Sequence, residues 1–118
     1  MEQKSTKMVL TVKYNYSMPT EEFKKITSSI AAQFSEIPGL CWKIWLIKED
    51  RKEAGGVYLF ESTEALEQFM NGPLFERLAN NPAYSNLQIN TFSVAEAPSL
   101  ITDAPLAKSV YRSQFHIS

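Results

Sequence analysis

Cysteine and histidine are almost missing from this chain of 118 residues, which has one of each, Cys41 and His116. One cysteine excludes an intrachain disulfide and points to a reducing, cytoplasmic setting. One histidine and one cysteine cannot build a zinc site of the common kind, and no spaced acidic cluster replaces them, so no metal is expected. No apolar run approaches the roughly 18 residues of a membrane span. The start, Met1-Glu2-Gln3-Lys4-Ser5, lacks the apolar core of a signal peptide. Charge of neither sign prevails: 12 Lys and Arg against 13 Asp and Glu give −1. With no basic block to meet a phosphate backbone, neither nucleic acid nor a membrane is expected as a partner. Glycine is scarce too, at four residues. The pair Gly55-Gly56 precedes a strand, whereas a phosphate-binding loop must open a helix. No serine sits in a nucleophile elbow, and no cofactor is expected.

What is present describes one domain with an ordinary apolar fraction of 44%. Residues 7–16 alternate, with Met8, Leu10, Val12, Tyr14 and Tyr16 on one face of a strand. Pro19 suits a first helical position, and Glu21 and Glu22 favour a helix N-terminus. Phe23, Ile26, Ile30, Phe34 and Ile37 then form one helical stripe, which Pro38-Gly39 ends. A hairpin follows over residues 38–61. Ser62 is placed to cap a second helix carrying Ala65, Leu66, Phe69 and Met70, and Asn71-Gly72-Pro73 stops it. A helical turn with Leu74, Phe75 and Leu78 precedes Asn80-Asn81-Pro82 and a last strand over about Leu87–Val94. The order strand, helix, strand, strand, helix, strand is α+β and ferredoxin-like, βαββαβ, an antiparallel sheet with its helices on one face. The domain is expected over residues 1–97. Residues 98–118 form a tail whose Leu100, Ile101, Leu106, Val110, Tyr111, Phe115 and Ile117 predict packing on this domain or on a partner subunit.

The hairpin is the unusual part. Leu40–Lys48 and Ala54–Glu61 flank a charged tip, Glu49–Lys52. With Lys48 opposite Glu53, one face carries Cys41, Lys43, Trp45, Gly56, Tyr58 and Phe60. The other carries Leu40, Trp42, Ile44, Leu46, Gly55, Val57 and Leu59. A sheet with helices on one side should turn a polar face to water, and here both faces are apolar. That second face is larger than the apolar patch a monomer normally exposes. Sheet-on-sheet pairing of two copies accounts for it; the tail folding back is the alternative.

Pro38-Gly39, Trp42-Lys43-x-Trp45 and Glu53-Ala54-Gly55-Gly56-Val57-Tyr58-Leu59-Phe60 resemble the signature of the YdhR-like mono-oxygenase family of the dimeric α+β barrel superfamily. The likeness extends, less tightly, over residues 8–106, including Thr91-Phe92-Ser93-Val94. It implies a sheet-to-sheet homodimer with one cavity per subunit between sheet and helices, and mono-oxygenase activity as a candidate.

Within that frame the candidate catalytic residues are Lys43 and Tyr58, and the candidate substrate-binding residues are Tyr14, Trp42, Trp45, Gly56 and Phe60. Trp45 opposite Gly56 places an indole beside a missing side chain, either to fill the gap or to wall a pocket for a planar ligand. Lys43, between two tryptophans, is either a lysine paired with Glu53 or a desolvated amine able to hold a phenolate or enolate. An oxygenase without metal or flavin needs such charge stabilisation and a dry cavity. Tyr14, Tyr16 and Tyr58 either orient a substrate by hydrogen bonds or, as buried tyrosines more often do, simply fill the core. His116, the third residue from the end, reads as incidental. The haem-degrading relatives carry a histidine ligand on a helix, and neither helix here has one. A glycine-plus-aromatic strand also echoes the RNA recognition motif, but the net charge opposes that. The expected function is a cofactor-independent mono-oxygenase for a small aromatic or polycyclic substrate, with a non-catalytic dimer binding an apolar metabolite as the alternative. The expected assembly is a dimer at micromolar concentration, and a monomeric mass in sedimentation equilibrium would contradict it.

Overall fold

Alternation in the first strand sets the layers of the molecule. The computed structural model describes residues 6–107. In β1 (Met8–Tyr16), Leu10, Val12, Tyr14 and Tyr16 are buried while Lys13 between them is exposed. β1 pairs antiparallel with β3 (Glu53–Phe60) on one side and with β4 (Tyr84–Ser93) on the other. β2 (Leu40–Lys48) adds to the far side of β3, giving the order β2-β3-β1-β4. The inward residues of β1 meet a layer of helices: α1 (Thr20–Phe34), α2 (Thr63–Met70) and α3 (Pro73–Ala79). Phe23 and Phe34, Ala65, Leu66 and Phe69, and Phe75 from those helices join Leu10, Val12, Tyr58 and Phe60 in one core. This is the expected α+β, βαββαβ architecture, with α3 as an added helix.

Local chemistry explains the boundaries. Pro19 precedes α1 in an extended conformation (φ −58°, ψ 145°) and serves as its N-cap, one residue earlier than the sequence reading placed it. Ser62 caps α2, its hydroxyl accepting from the Ala65 amide at 3.1 Å. After α1 the chain turns at Gly39, whose φ of +79° suits a residue without a Cβ. A Cβ there would lie 2.3 Å from that of Ala65, so the turn seats directly on α2. Trp42 pairs with Leu59 and Lys48 with Glu53, as the sequence register requires.

Two bulges depart from strict alternation. Leu40 pairs with Phe60 while Trp42 pairs with Leu59, so one extra residue, the buried Cys41, is inserted between them. The shift of phase brings Leu40 into the helix-side core, where simple alternation had assigned Cys41. The second irregularity lies between Lys13 and Asn15 of β1, facing Asn86 of β4 at φ +56°. It lets β4 begin at Tyr84, three residues before the expected start, with the Asn86 side-chain amide donating to Asn15 Oδ1 at 3.0 Å.

The face away from the helices is partly covered by the chain itself. After β4 a short α4 (Glu96–Ile101) leads on to Pro105, whose carbonyl accepts from the Trp42 indole N–H at 2.7 Å. β4 and β2 are opposite edges, so this segment crosses the width of the sheet, and Leu59 beneath that end is only 1% exposed. Ile44, Leu46 and Phe92 on the same face remain open to solvent. His116 and the apolar tail positions Val110, Tyr111, Phe115 and Ile117 lie outside the described residues. Among the described residues no helix is long and apolar enough to cross a membrane.

Gly55 tests how tightly the central strands approach. It pairs with Lys13 of β1, and a Cβ at that position would lie 1.8 Å from the Val12 carbonyl oxygen. Gly55→Ala should cost about 2–4 kcal/mol by forcing β1 and β3 apart. An unchanged denaturation midpoint would contradict that close approach.

Candidate functional site

Strand alternation points Lys43 and Trp45 of β2, Tyr58 of β3, and Val12 and Tyr14 of β1 toward the helices, and they form the floor of a cavity of about 200 Å³. Ile26, Ile30 and Phe34 of α1 and Leu74 and Leu78 of α3 supply its apolar walls. Thr27 of α1, Gly55 of β3, Phe69 of α2, Arg77 of α3, Asn81 and Tyr84 complete the lining, and no aspartate or glutamate belongs to it. A wider, shallower groove lies beyond Phe69 and Leu74, lined by Gln33, Glu36 and Gln68.

Lys43 is the central feature. Its Nζ lies 3.4 Å from the ring centroid of Trp45, 3.9 Å from Phe34 and 4.6 Å from Tyr58. Gly56 creates that seat, because a Cβ at residue 56 would lie 2.6 Å from Lys43 Cε. The glycine gap is therefore filled by the lysine stem and not by the Trp45 indole, which instead meets Phe34 edge-on at 5.0 Å. Nor does Lys43 pair with Glu53, which accepts from Lys13 at 3.2 Å. Among the described residues Lys43 has no carboxylate partner. Burial strips the ammonium of hydration and lowers the pKa to about 7. The three ring faces pull the other way, since each attracts the cation.

The tyrosines complete the polar set. Tyr14 and Tyr58 are 7% and 2% exposed. Among the described residues neither hydroxyl has a hydrogen-bond partner. Tyr16, by contrast, is engaged with Thr20 Oγ1 at 2.8 Å and stacked on Phe23. Burial raises the pKa of Tyr14, with Tyr84 adding to it, and burial followed by Tyr14 does the same for Tyr58. Tyr84 is raised by burial and lies 4.5 Å from Tyr14 ring to ring. All three remain protonated near neutral pH. A buried hydroxyl left unpaired costs about 1–3 kcal/mol, and such groups in a folded protein call for a partner. Here the cavity is the place from which water or a ligand would supply it.

Of the residues singled out from the sequence, Tyr14, Lys43, Trp45 and Tyr58 come together in the lining. Gly56 underlies Lys43. Phe60 is fully buried and stacked near Tyr58 at 6.0 Å, supporting the site without lining it. Trp42 is on the opposite face, bound to Pro105, because neighbouring strand residues point to opposite sides. The sequence reading missed Tyr84, which the bulge at Asn86 conceals from simple alternation. It also missed Arg77 and Asn81, which no motif announces.

Among the described residues no group of three or more histidine, cysteine or acidic side chains could hold a metal ion. Haem does not fit the lining: it offers no histidine, cysteine or methionine, and its phenols are held protonated, against phenolate ligation.

The family model described as "Putative mono-oxygenase ydhR" matches residues 9–105. No curated protein matches the chain. Among solved structures, the chain is similar to SnoaB, a cofactor-independent oxygenase from Streptomyces nogalater. That pair is 17% identical over 79% of this chain and 97% of the other, with a TM-score of 0.63. It is also similar to the heme-degrader MhuD from Mycobacterium tuberculosis, solved with two hemes in its active site. There the identity is 22% over 75% of this chain and 95% of that one, with a TM-score of 0.59. At these identities the shared property is the fold.

The buried amine has a measurable signature. Between pH 7 and 10.5 the unfolded chain holds a proton on Lys43 that the folded chain releases, so folding stability rises with pH across that window and is flat below it. Lys43→Met should therefore stabilise the fold by about 1–3 kcal/mol at pH 6, desolvation outweighing ring attraction. The gain should shrink from pH 7 upward and vanish above 10.5. A gain independent of pH would show that the amine is not desolvated.

Proposed function

Because the chain belongs to the ydhR mono-oxygenase family, we propose that its cavity oxygenates a small phenolic aromatic substrate without a cofactor. The observation that carries this reading is the Lys43 amine, free of any carboxylate among the described residues and facing an apolar cavity beside the unpaired hydroxyls of Tyr14 and Tyr58. The fold shared with a cofactor-independent oxygenase supports it.

Chemistry of this kind needs the substrate as its own reductant. A phenol or its keto tautomer gives up a proton, and the resulting carbanion-like enolate reduces dioxygen. For a methylene substrate, one oxygen atom enters as a ketone and the other leaves as water with the two methylene hydrogens. Lys43 with a pKa of about 7 can accept the first proton near neutral pH, and the ammonium so formed faces the enolate. Tyr58 and Tyr14, held protonated, donate to the same oxygen. Trp45 and Phe34 exclude water and flank a planar ring. Gly56 and Phe60 act by seating Lys43 and supporting Tyr58. Trp42 takes no part, since it faces away from the cavity. The exposed Ile44, Leu46 and Phe92 favour a homodimer through the sheet's outer face.

Oxygen uptake in air with a panel of anthrones and quinols tests the reading. Lys43→Met should lose about 100-fold in rate. Tyr58→Phe should lose about tenfold, less than deleting an oxyanion-hole donor costs. The wild-type rate should rise with pH through about 7, as the amine loses its proton. Tight binding across the panel with no oxygen consumed would instead favour a non-catalytic protein that binds an apolar metabolite.

A further inference from the structure

The cavity lining is basic, although the chain that builds it is not. The whole chain carries −1, yet the lining holds two basic side chains, Lys43 and Arg77, and no acid. They stand on different walls: Lys43 rises from the sheet floor among its rings, and Arg77 is an exposed residue of α3 at the rim. Neither forms an ion pair among the described residues. Between them lie aliphatic and aromatic walls, and on the floor Tyr14 and Tyr58, buried residues whose hydroxyls have no partner among the described residues. Size sets a second limit. An apolar cavity of about 150 Å³ takes up benzene, so about 200 Å³ has room for one or two fused rings and not for a broad polycycle.

We infer that the ligand is a one- or two-ring aromatic acid, with its ring oxygen on the floor against Lys43, Tyr14 and Tyr58 and an ionised carboxylate or sulfonate at the rim against Arg77. This deepens the proposed function and rests on its choice of cavity, while narrowing the substrate from any small phenol to an anionic one. The division of labour follows from exposure. Lys43 and the tyrosines are shielded, so they recognise the reacting oxygen. Arg77 is wet, so it sorts ligands by charge and does so more weakly in salt.

Titration calorimetry at pH 7 and low ionic strength with 6-hydroxy-2-naphthoate, 2-naphthol and 1-pyrenecarboxylate separates the outcomes. The naphthoate should bind about fivefold tighter than 2-naphthol, the upper range for an exposed ion pair. Arg77→Gln should erase that difference while leaving 2-naphthol affinity unchanged, and Arg77→Lys should restore part of it. The four-ring acid should not bind. Equal affinity for the naphthoate and 2-naphthol, or parallel loss of both in Arg77→Gln, would overturn the charge assignment. Tight binding of the pyrene acid would overturn the size limit. Failure of both naphthalene probes to bind, with oxygen uptake on quinols intact, would sink this inference and leave the oxygenase reading standing. Naphthoate binding that depends on Arg77, with no oxygen uptake on any substrate, would uphold it and remove the oxygenase.

Discussion

The Lys43 amine sits among three aromatic rings with its stem lying over a residue that has no side chain, Gly56. The lysine stem runs over the bare backbone of β3 where a Cβ would lie 2.6 Å from Cε. Once the stem is there, the Nζ lies within 4.6 Å of the Trp45, Phe34 and Tyr58 ring centroids, and among the described residues no counterion holds it. The rest of the candidate site follows from that placement. Phe34 is held by the end of α1, Tyr58 by its pairing opposite both Lys43 and Leu10, and α3 closes the space above. Moving any of these would shift a charge that the protein keeps partly out of water.

Such an arrangement is poor for stability, and its cost argues for a role. A desolvated lysine and two buried phenols without partners are features that a fold selected for stability alone would replace with methionine and phenylalanine of similar shape. Tyr16, in the same strand and two residues from Tyr14, shows the alternative, since its hydroxyl is satisfied locally by Thr20. The contrast within one strand separates a tyrosine that serves the core from one whose polar end is left available to the cavity.

Much of the fold was legible because its determinants are local and periodic. The alternation of β1, the stripe of α1, the Ser62 cap and the hairpin register from Lys48–Glu53 to Trp42–Leu59 all survive in the structure. The two bulges were not legible. Each adds a residue to one strand; no glycine lies near Asn86, and the one near Cys41, Gly39, marks the turn before the strand and not the bulge within it. Their consequences are specific: Leu40 reaches the core, and β4 gains Tyr84, which packs on Tyr14. The site was partly legible for the same reason. Residues on the hairpin's inward face could be grouped by parity, but which side chain fills a glycine gap depends on three-dimensional reach. A tryptophan is large enough to fill it, yet a lysine does so because its stem is thin and its end flexible. Arg77 and Asn81 reach the rim through the path of a short helix and the turn after it, which periodicity does not reveal.

The outer face follows a different logic from the cavity. Its apolar residues are not all unmatched, because the segment from α4 to Pro105 crosses the sheet and ties down at Trp42. The hydrogen bond consumes the one polar atom of that indole, so Trp42 acts as an anchor for the crossing strap. What the strap leaves bare, Ile44 and Leu46 near the hairpin tip and Phe92 on β4, lies on both edges of the sheet and not in one pocket. A broad, shallow surface of that kind suits a second flat surface better than a small ligand. The two faces of the hairpin thus divide: the helix side holds a cavity with an amine at its floor, and the outer side carries exposed apolar side chains beside the Lys13–Glu53 ion pair.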